Sequence, residues 1–218
     1  MHLSSRLRTI ADMIPQNSIV VDVGCDHALL DIYLTKNKKN KCIACDVRAS
    51  VLEIAKKNIT DAGLEKEISI IQSNGLEKVE VPKNAIAVIA GMGSFTILSI
   101  LKNPKANLFS YLIIQTNNDW EFFRKSMSQM GFQLVEEQTV CDKNKYYVFM
   151  KWMKGKCKYS KKECFLGPLL MQQKDTIPYY RKLLEQYQNI DANIPWKHIY
   201  KKYHIRHRIH WIQKELKK

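Results

Sequence analysis

Residues 18–23, Ser18-Ile19-Val20-Val21-Asp22-Val23, run directly into Gly24-Cys25-Asp26-His27-Ala28. The first part is a β-branched apolar run with no polar alternation, which predicts a strand buried on both faces. Gly24 follows it at once, and a helix-compatible stretch extends from about Ala28 to Lys36. The chain therefore turns sharply from strand to helix at a residue that tolerates a tight backbone. A buried strand feeding a helix is the repeating unit of a parallel sheet.

Outward from this point the unit repeats. Upstream, Leu3, Leu7, Ile10 and Ile14 are spaced 4, 3 and 4, one face of a short helix stopped by Pro15. Downstream, strands are predicted at Lys41–Val47, Ile68–Gln72, Ala85–Ala90 and Tyr111–Gln115. Between them lie helical stretches at 50–62, closed by Gly63, and at 94–102. A helix over 119–130 stops before Gly131, and two strands follow, Phe132–Val140 and Tyr146–Trp152, with only the polar turn Cys141–Lys145 between them. The expected fold is α/β, a seven-stranded, mostly parallel Rossmann-like sheet ending in an antiparallel hairpin.

The chain has 218 residues and a formal charge of +14, unevenly placed. Residues 1–150 hold 18 basic and 16 acidic side chains, whereas residues 151–218 hold 17 and 5. Residues 153–166 read as a polar, Lys-rich connector, with helix returning from Gly167-Pro168. Leu170, Ile177, Tyr180, Leu184 and Tyr187 form one apolar stripe, and Pro178 is expected to kink that helix or mark a second start. After a turn at Asn189–Pro195, Ile205, Ile209, Ile212 and Leu216 form another stripe, offset from Trp196, Ile199 and Tyr203. The expected domains are 1–153, holding the cofactor, and 154–218, a basic, coiled-coil-like helical hairpin. Its charge predicts a polyanionic partner. Tyr200, Tyr203 and Trp211 are expected to pack within the hairpin.

The composition also excludes classes. No apolar run approaches the roughly 20 residues that span a bilayer, and the N-terminal stretch lacks a continuous apolar segment. The expectation is a cytoplasmic protein without a membrane partner. Six cysteines are too sparse for a disulfide scaffold. Cys42 and Cys45 alternate across a strand, and Cys157 and Cys164 lack zinc-ligand spacing, so no metal is expected.

Four polar or glycine clusters fall at four consecutive strand ends, where ligands of open α/β sheets bind. They are Asp22 to His27, Asp46-Val47, Ser73-Asn74-Gly75 and Gly91-Met92-Gly93. Gly24 would let a ligand approach the backbone, Asp46 would accept ribose hydroxyls, and the Asn74 amide would face an adenine edge. Asp26 stands where a pyrophosphate would lie and would repel it. An adenosine cofactor without phosphate, S-adenosyl-L-methionine, fits better than a dinucleotide. The expected cofactor contacts are Asp22, Gly24, Cys25, Asp46, Val47, Asn74, Gly75 and Gly91.

Several segments together resemble the bacterial TrmK family. They are Leu3-Ser4-Ser5-Arg6-Leu7, Asp22 to Ala28, Ala90-Gly91-Met92-Gly93, Gln115-Thr116-Asn117, Gly131-Phe132 and Gly167-Pro168. Ser94 stands where that family usually has a third glycine, and Thr116 where it tends to have proline. The resemblance implies a class I methyltransferase acting on N1 of adenine at position 22 of tRNA. The catalytic candidates are then Asp26, His27 and Asn117, and the substrate candidates are Met92, Gly93, Lys197, Lys201, Arg206 and Arg208. A monomer binding tRNA, and not DNA, is expected. The rival readings are a class I methyltransferase for another RNA, a protein or a small molecule, a non-catalytic RNA-binding protein, and a nicotinamide oxidoreductase. The last is disfavoured by the missing phosphate-loop glycines.

Overall fold

A computed structural model describes residues 3–218. Ser4 opens helix α1 (Ser5–Asp12) by accepting the Leu7 N–H at 3.3 Å. Strand β1 (Ile19–Val23) follows, with four of its five residues buried. Helices and strands then alternate through α2 (Leu29–Lys38), β2 (Lys41–Asp46), α3 (Ala49–Ala62), β3 (Ile68–Gln72) and β4 (Ile86–Met92). They continue through α4 (Ser94–Leu101), β5 (Tyr111–Thr116), α5 (Trp120–Gln129), β6 (Phe132–Asp142) and β7 (Lys145–Lys154).

The seven strands form one sheet in the order β3-β2-β1-β4-β5-β7-β6. The first five pair in parallel; β7 inserts between β5 and β6 and runs antiparallel to both. The expected terminal hairpin is therefore present, and it folds back so that its second strand contacts the parallel set. Val20, Val21, Ala87, Val88 and Ile89 are fully buried in the two central strands. This is why those strands lack polar alternation: helices cover both faces. The sheet order reverses direction beside β1 and β4, and the carboxyl ends of those strands open the crevice in which such sheets bind ligands.

The chain divides into two compact units, up to Cys157 and from Lys158 onward. The second unit departs from the sequence expectation in three places. Within the supposed connector, Lys161–Leu166 forms helix α6. The signal for it was Ser160 followed by Glu163: the Glu163 N–H donates to Ser160 Oγ at 3.2 Å and the Ser160 N–H to Glu163 Oε2 at 2.7 Å, a complete capping box. The long helix α7 (Ile177–Asn193) has Pro178 in its first turn, so of the two expectations for that proline the second start holds and the kink does not; the chain from Pro168 to it is two short 3-10 turns, not one helix, and the proline needs no hydrogen-bond acceptor there. Helix α7 also runs through the expected turn at Asn189–Pro195, which begins only at Ile194. The reason lies in helix α8 (Ile199–Glu215): the Lys202 ammonium donates to the carbonyls of Asp191 (2.8 Å) and Ile194 (3.3 Å), satisfying the helix end.

Within this unit Ile205 and Ile212 are buried as the stripe requires, and Trp211 packs 6.1 Å from the ring of Phe165. Tyr200 and Tyr203 do not pack as expected. They are 83% and 65% exposed, and Trp196 is 75% exposed. No helix among the described residues is long and apolar enough to cross a membrane.

Candidate functional site

A cavity of about 250 Å³ opens at the carboxyl ends of β1, β2 and β4. Gly24, at φ +80°, turns the chain out of β1, and its N–H and that of Cys25 both donate to the carbonyl of Cys45 at the end of β2, at 2.7 and 3.0 Å. Asp26 and Ala28 also adopt positive φ, +51° and +56°. Three left-handed residues in five, two of them bearing side chains, store strain of the kind held at ligand loops. A Cβ on Gly24 would stand 2.2 Å from Met92 Cε. Met92 therefore lies directly over the glycine, joining the β1 loop to the β4 loop.

Three carboxylates and two guanidinium groups line the cavity. Asp22, Asp26 and Asp46 line it together with Gly24, Cys25, His27, Gly91 and Met92, all expected from the sequence. Asp26 is exposed at the mouth, and its carboxylate lies 3.8 Å from Nε2 of His27. Behind them Asp22 faces Asp31 of α2, which is fully buried. Neither side-chain oxygen of Asp31 has a hydrogen-bonding partner among the described residues. Burial, then repulsion from Asp31, holds Asp22 well above the usual carboxylate range, and burial pushes Asp31 up to about 7. Burial likewise pushes the Cys25 thiol far up, so it stays neutral and is no nucleophile.

Other expected contacts fall elsewhere. Asn74 does not line the cavity; its amide donates to Glu77 Oε1 at 2.8 Å because both side chains sit on the exposed turn after β3. Gly75, which packs against Ile100, and the exposed Val47 are also outside it. Asp46 lines the cavity, but its carboxylate accepts the Arg48 N–H (2.9 Å) and Arg48 Nε (3.2 Å). Gly93 and Asn117 stand just beyond. Asn117 Nδ2 donates to the Gly91 carbonyl at 2.7 Å, its N–H to the Met92 carbonyl at 2.9 Å, and its Oδ1 accepts from Gln115 Nε2 at 3.1 Å. These bonds fasten Asn117 to the β4 loop, outside the residues that line the cavity.

In the second unit Lys197 and Lys201 are exposed. Arg206 pairs with Asp191 at 3.2 Å, and Arg208 lies over the ring of Phe165 at 5.3 Å. The four expected substrate contacts are thus two open cations and two engaged ones.

The sequence reading missed Arg6 and Arg48. Arg6 leaves α1 for the cavity, where its Nη1 lies 3.5 Å from Gln115 Oε1 and 3.3 Å from the place of a Gly91 Cβ. Its signal was the Leu3-Ser4-Ser5-Arg6-Leu7 run, which drew notice without a role. Arg48 gives no sequence signal beyond lying two residues after Asp46.

A family model described as a methyltransferase domain matches residues 3–150. The structure of M. capricolum TrmK bound to S-adenosyl-homocysteine is 32% identical, covers 100% of this chain and 99% of its own, and superposes with a TM-score of 0.85. The chain belongs to the TrmK family.

Two further relatives agree. Streptococcus pneumoniae Sp1610 is 29% identical over 99% of this chain and 100% of its own, with a TM-score of 0.91. The Bacillus subtilis tRNA (adenine(22)-N(1))-methyltransferase is 32% identical over 148 residues; the match takes in 66% of this chain and spans 62% of that relative. Against this TrmK frame the cavity can be tested for S-adenosylmethionine. Gly24, bare of a side chain, lets the Met92 methyl come within 2.2 Å of where a Cβ would stand, and Asp22 and Asp26 offer carboxylates to an ammonium. Leu29, Val88 and Ala90 give an apolar wall, and no basic phosphate-binding loop follows β1. These residues fit the cofactor.

Proposed function

We propose that this TrmK protein transfers a methyl group from S-adenosylmethionine to N1 of adenine 22 in tRNA. The observation that carries the reading is the glycine-turned cavity, with Asp22 and Asp26 at the β1 loop, no lysine or arginine in that loop, and Met92 closing over Gly24. It suits a cationic adenosine cofactor and not a dinucleotide, and it sits in a chain whose cationic excess lies in a separate unit.

When bound, S-adenosylmethionine supplies one electrophilic methyl on a positively charged sulfur. Adenine N1 carries a lone pair, so no base has to remove a proton before attack. What the protein contributes is position and exclusion of water. Asp22 and Asp26 would hold the ammonium end, and Asp46 the ribose, exchanging part of its bond to Arg48 for the hydroxyls. Met92, at the junction of the two loops, would face the transferring carbon. Methyl transfer would leave positive charge on the adenine ring, and the Asp26 carboxylate at the mouth, with His27 beside it, would stabilise that charge. Asn117 keeps the Gly91-Met92 backbone in place through two hydrogen bonds.

Adenine N1 in a paired helix is blocked, so the base has to leave its stack. The basic second unit supplies phosphate contacts, Lys197 and Lys201 foremost, that bind RNA without reading sequence. The test is to incubate the protein with labelled cofactor and tRNA transcripts carrying A22 or G22, then map the product. Label in 1-methyladenosine at position 22 alone is the expected result. Label on a protein or small molecule, or none with any tRNA, overturns the reading.

A further inference from the structure

Phe95 and Phe122 lie side by side at the surface, ring centroids 4.9 Å apart and planes tilted by 32°. They are 68% and 42% exposed, so their mutual contact leaves much of both rings in water. Exposed contiguous aromatic surface of this kind marks a contact site more often than an accident of packing. We propose that this pair is a stacking platform for a nucleobase of the RNA substrate beside the methyl-transfer cavity. The proposal rests on the RNA-methylating reading above.

The pair does not line the cavity itself but follows β4, whose end helps build it, and the neighbouring β5. Phe95 stands in the first turn of α4, directly after β4, and Phe122 in the first turn of α5, directly after β5. Phe95 is three residues from Met92, which puts at most about 11 Å of chain between them. The two loops are fastened to each other. Beyond the Asn117 bonds, the Ser94 N–H donates to Asn118 Oδ1 at 3.0 Å and Thr116 Oγ1 to the Met92 carbonyl at 3.4 Å; within the second loop, Trp120 Nε1 donates to the Thr116 carbonyl at 3.2 Å. The rings are thus carried by a stiff backbone continuous with the cavity wall, which a stacking surface requires if it is to hold a base in register.

The local charge favours a base over other occupants. Asp119 and Glu121 precede Phe122 and the exposed Lys125 lies one turn after it, so the charge around the rings is mixed and gives neither a phosphate backbone nor an anionic lipid surface a continuous cationic face. An uncharged aromatic base needs none, and stacking on a protein ring tolerates any base. Drawing adenine 22 out of its stack leaves it and its neighbours with unpaired faces, which cost free energy that such a platform offsets.

The experiment uses the full chain. The double variant Phe95→Ala/Phe122→Ala and the conservative Phe95→Trp are compared with the parent in methylation of a tRNA transcript, in S-adenosylmethionine affinity by calorimetry, and in sedimentation. The alanine pair should lower kcat/KM for tRNA 10- to 100-fold with cofactor affinity within 2-fold. Phe95→Trp should keep activity within 3-fold, and its added indole fluorescence should be quenched by unmethylated tRNA and not by free phosphate. If the parent methylates tRNA and the alanine pair stays within 2-fold of it, or if the indole fluorescence added by Phe95→Trp ignores tRNA, the platform is overturned while the methyltransferase reading stands. A parent that self-associates through these rings, becoming monomeric in the alanine pair with activity intact, overturns it as well. A parent inactive on every tRNA removes the underlying reading.

Discussion

Replacing Asp31 by Asn should stabilise the protein at neutral and alkaline pH and do nothing comparable in acid. Asp31 is fully buried against Asp22, and burial pushes it from 3.8 up to about 7. Below about pH 4 it is protonated in both the folded and unfolded chain, and its raised pKa carries no penalty. As pH rises from about 4 through 7, the unfolded chain releases this proton while the folded one keeps it, so stability falls. Taken alone, the rise from 3.8 to about 7 amounts to about 4 kcal/mol at roughly 1.4 kcal/mol per unit. Asp22 keeps its own burial cost after the exchange, and the amide has to be buried too, so about 2 kcal/mol remains as gain. For a chain of this length that raises Tm by roughly 4–8 °C at pH 8. At pH 4.5 the two proteins should melt within about 2 °C of each other. The assay is calorimetric melting of both between pH 4.5 and 8. An equal shift at every pH would mean packing, not the buried ionisable carboxyl, governs the site. A lower Tm at pH 8 would refute the carboxyl-pair account outright. The amide introduced by Asp31→Asn would also donate to Asp22 and hold it ionised, so the pH dependence of S-adenosylmethionine affinity between 6 and 8 should flatten.

Gly24→Ala forces a side chain at φ +80° into Met92 Cε, and should weaken S-adenosylmethionine binding by more than 10-fold in calorimetry; affinity within 2-fold of the parent would contradict the cradle. Arg124 and Glu137 form a fully buried ion pair at 2.7 Å, so Glu137→Ala should cost about 3–5 kcal/mol in denaturant unfolding, whereas a loss below about 1 kcal/mol would mean the pair is not desolvated. Lys197→Ala/Lys201→Ala should lower tRNA affinity alike for all tRNA sequences and reduce the salt slope of binding by about 2; an unchanged slope would place the phosphate contacts elsewhere.

The sheet was legible because its strands are buried on both faces. Runs such as residues 18–23 and 85–90 carry no competing period, and the two consecutive strands after Gly131 disclose the hairpin. The cofactor loop was legible for a related reason: Gly24, Asp26 and Met92 stand at strand ends, and the position of a strand end follows from the strand itself. Asn74 and Asn117 show where this stops. Both are amides at strand ends, yet each finds a partner close by, Glu77 for one and the Gly91 carbonyl for the other, which spacing alone does not reveal. Arg6 reaches Gln115 across 109 positions. Such a contact depends on how α1 lies on the sheet, as the pairing of Asp22 with Asp31 depends on the rotation of α2. In the second unit the start of α6 was written locally, in Ser160 and Glu163, but the end of α7 was not, because Lys202 of the next helix caps it.

The central claim is tested most directly by mapping the methylated nucleoside after the purified protein meets labelled S-adenosylmethionine and a tRNA transcript with adenine at position 22. The account predicts 1-methyladenosine at that position and none when G22 replaces it. Equal methylation of the two transcripts, or modification of a different atom of the adenine, would contradict it.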